Sequence, residues 1–325
     1  MQMRKFGRTG QMVSVLGYGA GAVGGLLVRG DAKDRERSVA RALELGINYF
    51  DTAAIYGNGE SERTLGPILS RLGAKVMLGT KVRITTEQRG DVAGAIAASM
   101  DASLKRLGRD SVDLFQLHDP VTADGRDPAY TISSMLDVAV PALRRLQEQG
   151  KTRWIGITAL GDTDALKTVL DSGAFDTAQC VYNLLNPSGV GPMPASLQGQ
   201  DFGGLIRHAQ ARDIGTIGIR ILAGGALSGT EERHPGAMPS IAPIASGPSY
   251  AADVASARRL LPLVADGHAE SLVELAIRFA IGNDALSTIL VGTADLEQQE
   301  IAARAVAKGK LPAGTLTRIA DLQAG

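Results

Sequence analysis

A chain of 325 residues, 44% of them hydrophobic and 21% charged, has enough apolar material for a large buried core. Its 34 Lys plus Arg balance 34 Asp plus Glu, which excludes the one-signed surface that a polyanion partner demands, so no nucleic-acid partner is expected. A lone cysteine, Cys180, excludes an internal disulfide, no apolar run reaches the ~18 residues of a membrane span, and the opening MQMRKFGRTGQMVS carries no apolar leader, so the expected location is cytoplasmic.

In chain order, residues 2–14 pattern as a small hairpin turning at Arg8-Thr9-Gly10. Short apolar runs then recur as strand candidates: VSVLGYG (13–19), INYFD (47–51), KVMLGTK (75–81) and VDLFQLH (112–118). RWIGIT (153–158), DTAQCVY (176–182), TIGIRI (216–221) and STILVG (287–292) follow. Most are nearly continuous in apolar character, the pattern of parallel strands buried on both faces. Between them lie amphipathic helical stretches such as 35–46, 91–108 and 295–309, several ending at glycine. Eight strand–helix units predict an α/β fold, a single (β/α)8 TIM barrel over residues 1–325, with the N-terminal hairpin as a cap on the barrel's bottom. One segment breaks the rhythm. Residues 223–253, after the seventh strand candidate, are rich in Gly, Pro, Ala and Ser, and a loop of that length is either a mobile insert or a functional cover.

Gly19-Ala20-Gly21-Ala22-Val23-Gly24 matches the GxGxxG dinucleotide fingerprint. In a true fingerprint a helix opens within the motif. Here Gly24-Gly25 lead into LLVRGD, and amphipathic helix begins only near Asp34. These glycines read as the first loop at the barrel top.

Four polar residues fall at or just past the ends of successive strand candidates: Asp51, then Tyr56 in the same loop, Lys81 and His118. In a barrel such positions converge on one mouth. Singly, an Asp cap, a packed Tyr, a solvated Lys and a turn His are each ordinary. Together they make a site for reducing a carbonyl, which needs a hydride on carbon and a proton on oxygen. An ammonium beside a tyrosine stabilises tyrosinate and lowers its pKa, a carboxylate keeps the ammonium placed and charged, and a histidine donor polarises the carbonyl oxygen.

The run NYFDTAAIYGNGESERTLG (48–66), with GTK (79–81) and LH (117–118), resembles the signature set of the aldo-keto reductases. The resemblance places Asp51, Tyr56, Lys81 and His118 on that family's catalytic tetrad and implies an NAD(P)-dependent oxidoreductase. Its cofactor, NADP or NAD, would lie extended across the barrel mouth and its substrate would be a small carbonyl compound or sugar. Carried over residue by residue, Ala20, Gly21 and Asp51 lie near the cofactor and Gln179 faces the nicotinamide carboxamide. Ile219, Arg220, Leu222 and Gly224 belong to the segment facing nicotinamide and pyrophosphate. Gly292, Thr293, Ala294 and Gln298 belong to the adenosine-phosphate site. A helix beginning near Asp295 offers free N–H groups to an anion there.

This chain departs from the family pattern in two places. Thr158-Ala159 stand where the family commonly has Ser-Asn, leaving only Thr158 able to bond the carboxamide, and Ile219 stands where an aromatic ring often stacks. GIT at 156–158 resembles the branch of galactose and aldose dehydrogenases. No metal is expected, because His208, His234 and His268 lack ligand spacing and no CxxC or HExxH occurs. Two rivals remain: a non-catalytic cofactor-binding regulatory subunit, and a lyase using Lys81 as a Schiff-base amine.

Overall fold

The computed structural model describes residues 1–126 and 128–324. The described residues form ten strands: β1 (Met3–Lys5), β2 (Met12–Ser14), β3 (Leu16–Gly19), β4 (Tyr49–Asp51), β5 (Met77–Val82), β6 (Val112–Leu117), β7 (Thr152–Thr158), β8 (Thr177–Val181), β9 (Gly215–Ile219) and β10 (Thr288–Gly292). The last eight close into a parallel barrel in the order β10-β3-β4-β5-β6-β7-β8-β9. Helices such as Ala32–Glu44, Glu60–Arg71, Val92–Leu107 and Leu296–Ala307 follow the strands. The (β/α)8 expectation is borne out. Among the described residues no helix is long and apolar enough to cross a membrane.

β1 and β2 form the expected antiparallel hairpin. It takes Val13 and Ser14 from the first strand candidate, 13–19, which the structure splits. Those two residues pair with Arg4 and Met3, and the barrel strand begins only at Leu16. Apolar continuity did not reveal the break, because Val13 and Val15 are both fully buried. The hairpin covers the barrel's lower end. Phe6, fully buried, packs with Tyr49, Met77, Leu114 and Ile217 across the barrel floor. Gly7, at φ +51°, lies so close to β9 that a Cβ would stand 2.2 Å from the Gly215 nitrogen, a backbone approach that only glycine permits.

At the upper end, the first loop packs on the loop after β10. A Cβ on Gly24 would lie 2.5 Å from the Thr293 nitrogen, so this glycine serves loop-on-loop contact. The chain there forms one helical turn, Leu26–Arg29, before the longer helix opens at Ala32.

Residues 223–253 are not a free insert. They begin as a 3-10 turn, Ala223–Ser228, and end in the helix Tyr250–Arg258. The irregular stretch between is strapped across the mouth. Met238 N donates to Val23 O at 3.0 Å, Arg29 Nε to Gly236 O at 2.8 Å and Asn186 Nδ2 to Ala245 O at 2.5 Å. These bonds tie the loop to the loops after β3 and β8.

Candidate active site

The mouth is organised around a buried carboxylate. Asp51 ends β4 and points inward, 2% exposed. Its Oδ1 accepts from Lys81 Nζ. Its Oδ2 accepts from Gln179 Nε2 at 2.7 Å, Tyr49 OH at 2.9 Å and Gln116 Nε2 at 3.2 Å. Parallel register brings these groups together, because Lys81 on β5 stands level with Gln116 on β6 and residues two apart on a strand share a face. Lys81 is completely enclosed. Its other contacts are Thr52 O at 2.8 Å and Tyr56 OH at 3.2 Å, so all three ammonium hydrogens have acceptors.

Tyr56 sits in a turn fixed on three sides. Gly57, Asn58 and Gly59 all have positive φ, reversing the chain into the helix Glu60–Arg71. Ser61 Oγ donates to Ala20 O at 2.9 Å and lies 2.8 Å from Thr52 Oγ1. Glu62, fully buried, accepts from Thr80 Oγ1 and Arg106 Nε, each at 2.6 Å. The GESER stretch therefore bolts the Tyr56 turn to β3, β4 and β5. The His118 ring, one residue beyond β6, stands edge-on to the Tyr56 ring with centroids 6.0 Å apart.

Burial sets the protonation states. The Tyr56 hydroxyl is pushed above its ordinary value by burial, while Lys81 pulls it back and Asp51 adds to the rise. This differs from the expected lowering: the ammonium acts in the expected direction, but desolvation outweighs it. Burial also pushes Lys81 down, yet the Asp51 carboxylate and Tyr56 outweigh it and hold the ammonium above its ordinary value. Burial, with Lys81 and Arg83 adding, pushes the His118 ring down to about 3. The site at neutral pH thus holds a protonated tyrosine, a charged lysine and a neutral histidine. His118 Nδ1 is buried without a partner.

The remaining expected residues ring the same mouth. Ala20 N donates to Asp51 O at 2.9 Å, and Gly21 lies beside the Tyr56 ring. Thr158 ends β7 with its Oγ1 buried and unpartnered. Gln179, next to Thr158 in register, has its Nε2 committed to Asp51. Ile219 ends β9, and Arg220, Leu222 and Gly224 follow it. Arg220 is held at φ +58° with its carbonyl bonded by Asn183 Nδ2 at 2.8 Å. Positive φ at a side chain of this size is strained backbone, a feature that gathers at functional sites. Gly292, Thr293 and Ala294 run from β10 to the helix Leu296–Ala307, where Gln298 lies in the first turn.

Of the N–H groups expected to be free at that helix, the one of Gln298 is taken by a side chain. Gln298 N donates to Asp295 Oδ1 at 2.8 Å, and Ala294 N donates to Gln298 Oε1 at 2.9 Å. Asp295 is the N-cap of this helix, and the cap carries a negative charge. Asp295 Oδ2 also meets His234 Nε2 of the crossing loop at 3.1 Å.

Sequence reasoning missed Tyr49, Gln116 and Asn183. Gln116 left a signal, a polar side chain inside the apolar run VDLFQLH two residues before His118. Tyr49 left none, since aromatic residues are common in buried strands.

The profile of the Aldo/keto reductase family matches residues 15–324. The chain is 28% identical over 310 residues to L-galactose dehydrogenase of Arabidopsis thaliana, covering 92% of this chain and 86% of that protein. It is 30% identical to D-threo-aldose 1-dehydrogenase of a Pseudomonas species, covering 57% of this chain and 63% of that one. Among solved structures it is similar to aldo-keto reductase AKR11C1 from Bacillus halodurans in its holo form. The TM-score is 0.74 and the identity 24%, with 100% of this chain and 97% of that one covered, a likeness of fold.

Proposed function

The chain belongs to the aldo/keto reductase family and is an oxidoreductase, and from that premise we propose that it interconverts a carbonyl compound and its alcohol using a nicotinamide dinucleotide, with Tyr56 as the proton donor and acceptor. The observation that carries this reading is the buried chain Asp51–Lys81–Tyr56 opening beside neutral His118. Tyr56 is protonated at neutral pH and so is ready to give its proton to an oxygen. Lys81 stabilises the tyrosinate that results, and Asp51 holds Lys81 in place. His118, kept uncharged, offers a hydrogen bond to the same oxygen. When bound, the nicotinamide supplies or takes the hydride.

The mouth fits such a cofactor. Thr158 Oγ1 is a buried polar atom without a partner, and such atoms are rare unless a ligand or water completes them. A carboxamide would complete it, with Gln179 Oε1 as the neighbouring acceptor. Ala20, Gly21, Ile219, Leu222, Gly224, Gly292, Thr293, Ala294 and Gln298 are assigned to the walls of the cofactor cleft. The regulatory-subunit rival has no use for this proton-transfer set. The Schiff-base rival needs a lysine of lowered pKa with room for a substrate carbonyl, whereas Lys81 is enclosed and its pKa is raised.

Because the two dehydrogenase relatives are named for aldoses, aldoses and small aldehydes are the substrate class to test, in both directions. The chain accepts NAD(H) at least as well as NADP(H). Asp295 and Glu297 add negative charge beside the residues assigned to the adenosine-phosphate site, and the Ala294 and Gln298 amides are already bonded. The check is kcat/KM for both cofactors with one aldehyde. A preference for NADPH above about tenfold, ~1.4 kcal/mol, defeats the assignment. Absence of turnover across the panel defeats the reading itself.

A further inference from the structure

Asp51 is bonded from two sides. Its Oδ1 takes Lys81, while its Oδ2 takes two donors from below that the proton transfer does not use, Tyr49 OH at 2.9 Å and Gln116 Nε2 at 3.2 Å. Tyr49 lies two residues before Asp51 on β4, so both side chains point to the same face of the strand. Its ring belongs to the apolar floor, with its centroid 5.6 Å from that of Phe6, and its hydroxyl reaches up to the carboxylate. Gln116 stands level with Lys81 on the neighbouring strand. Both side chains are fully buried.

Folding alone favours other residues at these two positions. A phenylalanine and a leucine would fill the same interior and leave no polar atom to satisfy. Gln116 instead keeps its Oε1 buried without a partner, and an unpaired buried acceptor costs free energy. Room for the pair is made by glycine on three strands. A Cβ on Gly79 of β5 would stand 3.1 Å from Tyr49 OH, one on Gly17 of β3 3.0 Å from Tyr49 Cδ1, and one on Gly156 of β7 2.9 Å from Gln116 Cγ. Glycine inside a strand weakens it and marks a close approach. The barrel interior is thus weakened locally at the places that bring two neutral donors under one carboxylate oxygen.

We infer that Tyr49 and Gln116 are positioning residues of the proton transfer: by occupying Asp51 Oδ2 from below they leave Oδ1 facing Lys81, and so hold the ammonium against the Tyr56 hydroxyl. Their place in a proton transfer rests on the oxidoreductase reading, whereas the brace itself does not. The two donors also draw the charge of the carboxylate away from Lys81. Without Tyr49 OH, Asp51 attracts the ammonium protons more strongly, Lys81 stabilises tyrosinate less, and the Tyr56 hydroxyl becomes a weaker acid. The titratable and charged groups that face Tyr56 are Lys81, Asp51, Arg220, Tyr49 and His118. The variants below leave the other four as they are and change only what lies beneath Asp51.

The test is the pH profile of alcohol oxidation by the full chain, for the wild type and for Tyr49→Phe, Gln116→Met and Phe6→Ala. Tyr49→Phe keeps the ring and removes one hydroxyl, while Phe6→Ala disturbs the packing of that ring and leaves its hydroxyl in place. Tyr49→Phe and Gln116→Met are each expected to lower kcat by about tenfold and to move the alkaline limb upward, with KM and the NADH Kd held within about twofold. Phe6→Ala is expected to lower the denaturation midpoint and leave the limb where it is. Gln116→Met, on a different strand, carries the test if Tyr49→Phe does not fold. A loss of stability in these two variants with kcat and limb unchanged overturns the inference, as does an equal movement of the limb in Phe6→Ala. A second readout needs no turnover. In chain isotope-labelled at the tyrosine ζ carbon, the Tyr56 resonance, assigned by its loss in Tyr56→Phe, is titrated in the wild type and in Tyr49→Phe. A higher midpoint in the variant supports the brace, and an equal or lower one overturns it. If the wild type turns over nothing, the oxidoreductase reading falls and this titration alone decides the brace.

Discussion

The two ends of the barrel treat their arginines in opposite ways. At the lower end, Arg4 donates to the carbonyls of Ile281, Asn283 and Leu286 at 2.5–2.9 Å, with Asp284 at 3.4 Å. Arg8 reaches Arg212 O at 2.5 Å and Gly173 O at 3.1 Å. These side chains staple the hairpin to the loops it covers, above an apolar floor of Phe6, Tyr49, Met77, Leu114 and Ile217. At the upper end, Arg220 has one long bond and a strained backbone, while His118 Nδ1 and Thr158 Oγ1 are buried without partners. The same eight strands thus carry a floor whose arginines are well bonded and a mouth where Arg220 is not. Unpartnered buried groups occur at both ends, Thr177 Oγ1, Thr288 Oγ1 and Asn283 Nδ2 among the lower ones, so the contrast lies in the arginines.

Four substitutions test that division, from the largest expected effect to the smallest. Tyr56→Phe removes the proposed proton donor from the mouth. Turnover should fall by roughly 10²–10⁴-fold with the melting temperature and cofactor Kd nearly unchanged; near-normal kcat removes Tyr56 from the chemistry. Phe6→Ala empties the floor. It should cost about 3–5 kcal/mol of unfolding free energy by denaturant titration, while kcat/KM at 25 °C holds. A loss of activity without loss of stability would mean that the two ends are not separate.

Lys81→Met sharpens the account of the mouth. Burial already raises the Tyr56 pKa and Lys81 counters it, so removing the ammonium raises it further. The alkaline limb of the oxidation pH profile should move upward and kcat should fall. An unmoved limb shows that Lys81 does not act on the proton. His118→Gln has the smallest expected effect, read in stability. The folded ring titrates near 3 and the unfolded one near 6.5, so the unfolded chain binds the extra proton between those values. The cost of keeping His118 neutral is absent above about pH 6.5 and grows as pH falls toward about 3. Denaturant titrations at pH 7 and pH 4.5 should therefore show a smaller acid-side loss in the variant than in the wild type. Equal losses would show that the ring is not held neutral.

The sequence by itself determined the architecture and which four polar residues gather at the mouth. Eight apolar runs separated by amphipathic stretches specify a parallel barrel, because strands buried on both faces need no polar alternation. Residues placed at strand ends, Asp51, Tyr56, Lys81 and His118, must then meet at one mouth. What lay between those ends was not legible. The boundary between β2 and β3 falls inside a continuous apolar run, so only the pairing of Met3–Lys5 with Met12–Ser14 reveals it. The second layer around Asp51, formed by Tyr49, Gln116 and Gln179, depends on register between strands up to 128 residues apart in sequence, and periodicity within one strand carries no register. The sign of the Tyr56 shift depends on how much water burial removes, a property of the packed site and not of the residue pair. The bonds that take up the Ala294 and Gln298 amides at the start of the helix Leu296–Ala307 were likewise decided only by the tertiary structure, because what a polar group can do is set by which partners it reaches in space.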